Sequence, residues 1–254
     1  MRVLTAIPVY NEEQSITSVL NETHKYTQDV LVVNDGSTDE TASLIAGENV
    51  VTHDFNIGYG GAINTAFRYA QNHEYDVLIT LDADGQHRPN MIPKFVAAMK
   101  DNDIVSGSRY LDCDRTDVAP ESRRKINQEI TAWFNQKFGW NTTDSFCGMK
   151  AYSVSALSKF RVTELGYAGL LQIWMQAAVL GLKIEELSVP LIYFDTPRSF
   201  GVSLDDARRR RSYCFEVIGR ESITIFGRTE LYSGRSEPYN GWVKDVTFGE
   251  NHGG

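Results

Sequence analysis

Leu78-Ile79-Thr80-Leu81-Asp82-Ala83-Asp84-Gly85-Gln86-His87 runs strand-like residues straight into two carboxylates that stand one residue apart. Residues two apart on an extended backbone point the same way, so both carboxylates can face one site. Small and turn-forming residues follow at once. A buried strand that ends in Asp-x-Asp presents two hard oxygen ligands at the carboxyl edge of a sheet. Magnesium and manganese prefer such ligands and bind substrate phosphates at their open positions. The same letters also describe a polar loop capping the next helix. The choice between the two readings depends on what else lies at that edge. Gln86 offers a further ligand or a donor contact, and His87 offers the same or is simply solvated.

Upstream, Val3 to Pro8 reads as a buried strand and Glu12 to Tyr26 as an amphipathic helix with Ile16, Val19 and Leu20 on one face. Val30 to Val33 is a second strand, running into Asn34-Asp35-Gly36-Ser37-Thr38-Asp39. A short helix over 39–46, a short strand over 50–53 and a helix over 58–72 precede the carboxylate strand. Downstream come a helix over 91–100 and a strand over 104–106. Alternation of this kind implies right-handed crossovers and a mainly parallel sheet with helices on both faces. Ligands of such sheets gather beyond the carboxyl ends of the strands. Pro8-Val9-Tyr10-Asn11-Glu12, Asn34-Asp35-Gly36 and Asp82-Ala83-Asp84 therefore share one edge. That placement favours a divalent metal shared with a pyrophosphate. Asp35, an ordinary turn residue taken alone, becomes a candidate acceptor for a nucleoside. Asp39 is placed to cap the next helix.

The second half is less regular. It offers a helix over 122–138, a strand over 147–152, an apolar helix over 169–180, a strand over 184–194 and a turn-rich loop over 195–203. Arg109 follows the strand after the carboxylate pair, where a guanidinium can bind phosphate bidentately. Arg123 and Arg124 open the next helix, and Arg198 sits in a Pro-Arg-Ser-Phe-Gly loop. Asp144 is either a turn residue or a base for an acceptor hydroxyl. Asn56-Ile57-Gly58-Tyr59-Gly60-Gly61 lacks the spacing and position of a dinucleotide fingerprint. It fits close helix packing or the approach of backbone to a sugar nucleotide.

Size and composition bound the answer. With 254 residues, 42% hydrophobic and 23% charged, one globular domain with a C-terminal appendage is expected. A net charge of −8 argues against broad adsorption on nucleic acid. Cys113, Cys147 and Cys214 form neither a disulfide framework nor a zinc pattern, which suits a reducing, cytoplasmic setting. No stretch approaches the roughly 18 apolar residues of a membrane span, so any membrane contact should be peripheral. Oligomeric state stays open.

Six segments together resemble the inverting family 2 glycosyltransferases of the GT-A fold, and within them the polyprenyl-phosphate (dolichyl-phosphate) mannosyl- and glucosyltransferase branch. They are Ile7-Pro8-Val9-Tyr10-Asn11-Glu12-Glu13, Val33-Asn34-Asp35-Gly36-Ser37-Thr38-Asp39, Asn56-Ile57-Gly58, Leu81-Asp82-Ala83-Asp84-Gly85-Gln86, Gly107-Ser108-Arg109-Tyr110 and Asp144-Ser145-Phe146-Cys147-Gly148. The resemblance implies an α/β GT-A (Rossmann-like) domain over residues 1–203, with 204–254 as a helical extension. It implies a nucleotide diphosphosugar donor, GDP- or UDP-linked, and a polyprenyl-phosphate acceptor. Pro8, Tyr10, Glu12 and Asp35 would hold the nucleoside. Asp82, Asp84 and Gln86 would hold Mg2+ or Mn2+ against the diphosphate. Arg109 and Arg124 would meet the acceptor phosphate, and Arg198 would close over the donor. Asp84, Arg109, Arg124 and Asp144 form the expected catalytic set. Asp144 positions groups if the acceptor is a lipid phosphate, and acts as base if it is a sugar hydroxyl.

Two features depart from that branch. Relatives often carry an acidic residue where Gln172 stands, and some carry C-terminal membrane spans. Here the tail offers Arg208-Arg209-Arg210-Arg211 followed by spaced apolar residues. It fits a basic helix on a lipid surface or a helix packed on the domain. A transferase with a soluble hydroxyl acceptor, a nucleotide-sugar-binding protein without turnover and a nucleotidyltransferase are the other readings.

Overall fold

The computed structural model describes residues 1–112, 119–193 and 204–227. Arg198, Cys113 and the tail beyond residue 227 lie outside the described residues, and so does the segment before the expected boundary at residue 203. The β strands are β1 (Val3–Val9), β2 (Val30–Asn34), β3 (Val50–Thr52), β4 (Val77–Thr80), β5 (Ile104–Ser108), β6 (Lys150–Ser153) and β7 (Ile184–Ser188). They form a seven-stranded sheet in the order β3-β2-β1-β4-β6-β5-β7. All neighbouring pairs are parallel except those of β6, which runs antiparallel to both β4 and β5. The sheet is thus mainly parallel, as expected.

Strand alternation divides the core in two. Ile7, Val9, Val30, Val32, Val77 and Ile79 point to one face, where α1 (Ile16–Thr23) and α4 (Ile92–Ala98) cover them with Ile16, Val19, Leu20 and Phe95. Leu4, Ala6, Leu31, Val33 and Leu78 point to the other, under Ala62, Ile63, Ala66 and Phe67 of α3 (Tyr59–Asn72). Pro8 sits buried near the end of β1. Thr5 donates to Asp29 O on the β2 side, so the even residues of β1 face β4. Pairing with β4 ends at Ala6. The N–H that Pro8 lacks therefore costs no ladder bond.

Short helices are shorter than their sequence periodicity suggests. The second helix, α2, covers Thr41–Leu44 with Glu40 at its N-cap; the expected cap, Asp39, stands one residue earlier, and its Oδ1 accepts from Thr41 N–H at 3.0 Å. Between α1 and β1, residues 12–15 form a turn in which Ser15 Oγ donates to the Glu12 carboxylate at 2.8 Å. A 3-10 turn, Pro89–Met91, leads into α4. One further helix, α6 (Val154–Leu157), follows β6 and has no sequence counterpart above.

A third apolar cluster joins α5 (Glu121–Phe138), α7 (Gly169–Val179) and α8 (Ala207–Gly227). The middle helix, α7, is buried on every side from Gly169 to Ala177: Leu170 and Ile173 face the sheet, while Leu171, Trp174 and Met175 face α5 and α8. The buried residues of α8 are Cys214, Val217, Ile218 and Ile225. Through Ile225 the tail therefore packs on the domain. Glu221, also buried, accepts hydrogen bonds from Gln172 Nε2 and Gln176 Nε2 at 2.7 Å each, which fixes α8 on α7. Gln172 is thus a docking residue for α8.

Candidate active site

The carboxyl ends of β4 and β5 meet the N-terminal half of α5 and the start of α8 around a cavity of about 220 Å3. Asp82, Asp84, Gln86, Arg109, Arg123 and Arg210 are among its lining residues. The strand ends at Thr80 and the backbone turns at residues 83–84, so the pair is not extended; Ala83 is nonetheless buried, and both carboxylates are partly exposed and line the cavity. Asp84 Oδ1 accepts from Gln86 N–H at 2.9 Å, which closes the turn. Asp82 Oδ1 accepts from the Tyr59 hydroxyl at 3.0 Å. A Cβ on Gly148 would lie 2.3 Å from Asp82 Oδ2. The carboxylate thus occupies the space that only glycine leaves, which orients it toward the cavity.

His87 is buried beneath the turn, not solvated. Burial disfavours its charged imidazole, while Asp82, Cys147 and Asp84 favour it. Asp82 N–H donates to Nδ1 at 3.0 Å, which requires a lone pair there. That contact decides for the neutral ring, with the Nε2 proton toward Cys147 Sγ at 3.9 Å.

The donor set suits a magnesium-type ion. Among the described residues no cluster of three or more His, Cys, Asp or Glu side chains makes a protein-only metal site. Two carboxylates and an amide, open on one side, are what such an ion uses when substrate phosphates complete its shell.

The opposite wall is basic. Arg109 donates through Nε to Asp144 Oδ2 at 2.7 Å and through Nη2 to Oδ1 at 2.9 Å. Asn127 Nδ2 donates to Oδ1 at 2.7 Å, and Glu186 accepts from Asp144 N–H at 3.0 Å. Burial pushes the Asp144 carboxyl up, but the Arg109 guanidinium and Asn127 hold it below the usual range. Asp144 is fully buried, is saturated by donors and does not line the cavity. This geometry does not suit the base expected for a hydroxyl acceptor. One residue moves: the expected Arg124 is not on the wall, and Arg123 is, one helical turn before Ile126 and Asn127.

A second, larger groove of about 1150 Å3 lies on the other side of Asp84. Tyr10, Glu12, Asp39, Asp84 and His87 are among its lining residues. Tyr10 is 44% exposed, an aromatic face open to solvent at the strand edge. Asp35 is buried beside it. Its Oδ1 accepts from Ile57 N–H at 3.0 Å and lies 2.7 Å from His53 Nδ1, and its Oδ2 accepts from Gly58 N–H at 2.9 Å. This residue anchors the 56–58 loop. The glycine-rich stretch after it serves packing: Gly60 N–H donates to Gly166 O at 3.2 Å, and a Cβ at residue 60 would lie 2.3 Å from Glu164 O. The sequence assigned Tyr59, Gly148 and Arg210 no individual role at this site, because each arrives from a distant segment, although Gly148 and Tyr59 lie in stretches already singled out.

Residues 5–161 match Glycosyl transferase family 2. The chain belongs to that family, and it is a glycosyltransferase. Among curated relatives, the undecaprenyl-phosphate mannosyltransferase of Micrococcus luteus is 33% identical over 204 residues, covering 76% of this chain and 84% of that protein. The polyprenol monophosphomannose synthase of Mycolicibacterium smegmatis is 28% identical over 231 residues, 85% of each chain. In fold, the chain is similar to the glucosyl-3-phosphoglycerate synthase of Mycobacterium tuberculosis solved with UDP. The TM-score is 0.69 at 17% identity, over 87% of this chain and 79% of that one.

Proposed function

We propose that this glycosyltransferase moves a hexose, mannose or glucose, from a GDP- or UDP-linked donor to a polyprenyl phosphate. The observation that carries the reading is the cavity in which Asp82 and Asp84 face Arg109 and Arg123. A donor diphosphate and an acceptor phosphate need such opposed walls. The names of the Micrococcus and Mycolicibacterium relatives support the acceptor class.

The nucleoside lies in the larger groove, against Tyr10 and Glu12, with Pro8 and Asp35 at the neighbouring strand ends of β1 and β2. Asp82, Asp84 and Gln86 hold Mg2+ or Mn2+, which when bound offsets the charge that develops on the leaving diphosphate. An acceptor phosphate oxygen forms the new bond to the anomeric carbon as the bond to the diphosphate oxygen breaks. Attack from the face opposite the leaving group inverts that carbon. The phosphate is already ionised, so no side chain has to remove a proton. Asp144 positions Arg109. Arg198 closing over the donor remains part of this proposal.

A hydroxyl acceptor would need a base, and the Arg109 pair occupies the carboxylate that would serve. Among the described residues no helix is long and apolar enough to cross a membrane. Peripheral contact at a cytoplasmic membrane face would bring the lipid to the cavity. The test is transfer of label from GDP- and UDP-sugars to polyprenyl phosphate with Mg2+ or Mn2+, read in the organic phase. Metal-dependent release of nucleoside diphosphate with no lipid label would keep the transferase and reject this acceptor.

A further inference from the structure

Glu186 stands on β7, at the edge of the sheet, in register with Ser106 of β5. Its Oε2 accepts from Thr143 N–H at 2.7 Å and from the Thr143 hydroxyl at 2.9 Å. Its Oε1 accepts from Asp144 N–H at 3.0 Å. Three donors converge on two oxygens. An ionised carboxylate satisfies all three, and an amide cannot, because half of it is itself a donor. Burial and the neighbouring Asp144 carboxylate raise the Glu186 carboxyl, against the pull of these hydrogen bonds. A second carboxylate is thus kept beside Asp144 at a cost.

The clamp reaches Arg109 by two routes. With its own proton committed to Glu186, Thr143 Oγ1 accepts from the Ser108 hydroxyl. Ser108 Oγ in turn accepts from Tyr110 N–H at 3.2 Å. Every donor in this row points toward the Glu186 carboxylate, and the row holds the residues on either side of Arg109. By the second route, the clamped turn carries Asp144. That side chain accepts from Arg109 N–H at 3.1 Å as well as from Nε and Nη2. Asp144 takes the Nε and Nη2 edge of the guanidinium. The other two-point edge, Nη1 and Nη2, is the one with which a phosphate can pair. Arg109 lines the cavity and Glu186 does not, so Glu186 acts only through the groups it holds.

We propose that Glu186 is a positioning residue for the acceptor: it clamps the 143–144 turn, and through Asp144 and Ser108 it sets the Arg109 edge that meets the acceptor phosphate. The nucleotide groove is built without it. This inference rests on the proposed phosphate acceptor and adds to it a residue outside the cavity.

The test is calorimetric titration of the purified full chain, in Mg2+ buffer without donor sugar, with a short water-soluble isoprenyl phosphate. GDP and UDP are titrated in parallel. Glu186→Gln should weaken isoprenyl phosphate binding roughly 10-fold, the size of one lost hydrogen bond to a charged group. Nucleotide binding should be unchanged. Glu185→Gln, the same change at the exposed neighbour on β7, should match wild type for both ligands. By NMR of isotope-labelled protein, the Arg109 Nε–H resonance, assigned with Arg109→Lys, should shift in Glu186→Gln and stay in place in Glu185→Gln. Should Glu186→Gln fail to fold, Thr143→Val removes one of the three donors and should give the same pattern at smaller size. Wild-type isoprenyl phosphate affinity, or an unmoved Arg109 resonance, overturns the inference and leaves the proposed function standing. Parallel loss of nucleotide and phosphate binding marks a general structural role and also overturns it. No isoprenyl phosphate binding by wild type sinks the acceptor reading and the inference together.

Discussion

The Arg109 guanidinium meets the Asp144 carboxylate edge on, with two hydrogen bonds of 2.7 and 2.9 Å, and the carboxylate is fully buried. Removing one partner of such a pair leaves a buried charge uncompensated. Asp144→Asn should destabilise the fold by about 3 kcal/mol, measured by urea unfolding. The folded-state Asp144 value is depressed. Its contribution is therefore present above the ordinary carboxyl value, about 3.9, and is lost as pH falls through the lower folded value. The stability gap between wild type and Asp144→Asn should shrink in that acid window. An equal gap from pH 7 down to pH 3 would contradict this.

Gly148 is the floor under Asp82. Gly148→Ala places a methyl group 2.3 Å from Oδ2, so the carboxylate must turn away. Transfer should fall roughly 10- to 100-fold, the usual cost of misorienting a metal ligand. The midpoint of the Mn2+ dependence should rise in step. An alanine variant with a wild-type metal midpoint would show that Asp82 does not act from this position.

Tyr59 reaches Asp82 from the first turn of α3. Tyr59→Phe keeps the ring and removes the donor. It should raise the Mn2+ midpoint several-fold, with thermal stability near that of wild type. Unchanged metal dependence would reduce Tyr59 to a packing residue.

Burial pushes the Cys214 thiol up to about 12, and the side chain has no exposed surface. Thiolate is the reactive form. Iodoacetamide at pH 8 should leave Cys214 unmodified in the native protein and label it in denaturant, as read by peptide mass spectrometry. Native labelling at Cys214 would mean that α8 leaves α7 readily.

The central strands and the Asp82–Asp84 pair were legible because each strand obeys a period of two, with a turn directly after it. Asp39 was legible as an acidic residue at the start of the next helix for the same local reason, although Glu40 stands at the cap itself. β6 was hard to read as a central antiparallel strand, since Lys150-Ala151-Tyr152-Ser153 carries a lysine and a tyrosine. Both are buried: Lys150 Nζ donates to Ser106 Oγ at 2.8 Å and to Cys147 O at 2.6 Å, partners that only the fold supplies. The choice of Arg123 over Arg124, and of Arg210 within its run, is a matter of helical phase. A shift of one residue turns a side chain by about 100°, and nothing local sets that phase. Phase comes from Ile126, Ile130 and Phe134 packing against α7 and α8.

The central claim is that the carboxylate pair and the basic wall form one transfer site for a phosphate acceptor. The direct measurement compares wild type with Asp84→Asn for label carried from a GDP- or UDP-sugar into polyprenyl phosphate, with circular dichroism as the fold control. The account predicts label from one donor with wild type, lost on chelation, and none with the folded Asp84→Asn variant. Full transfer by that variant would contradict it.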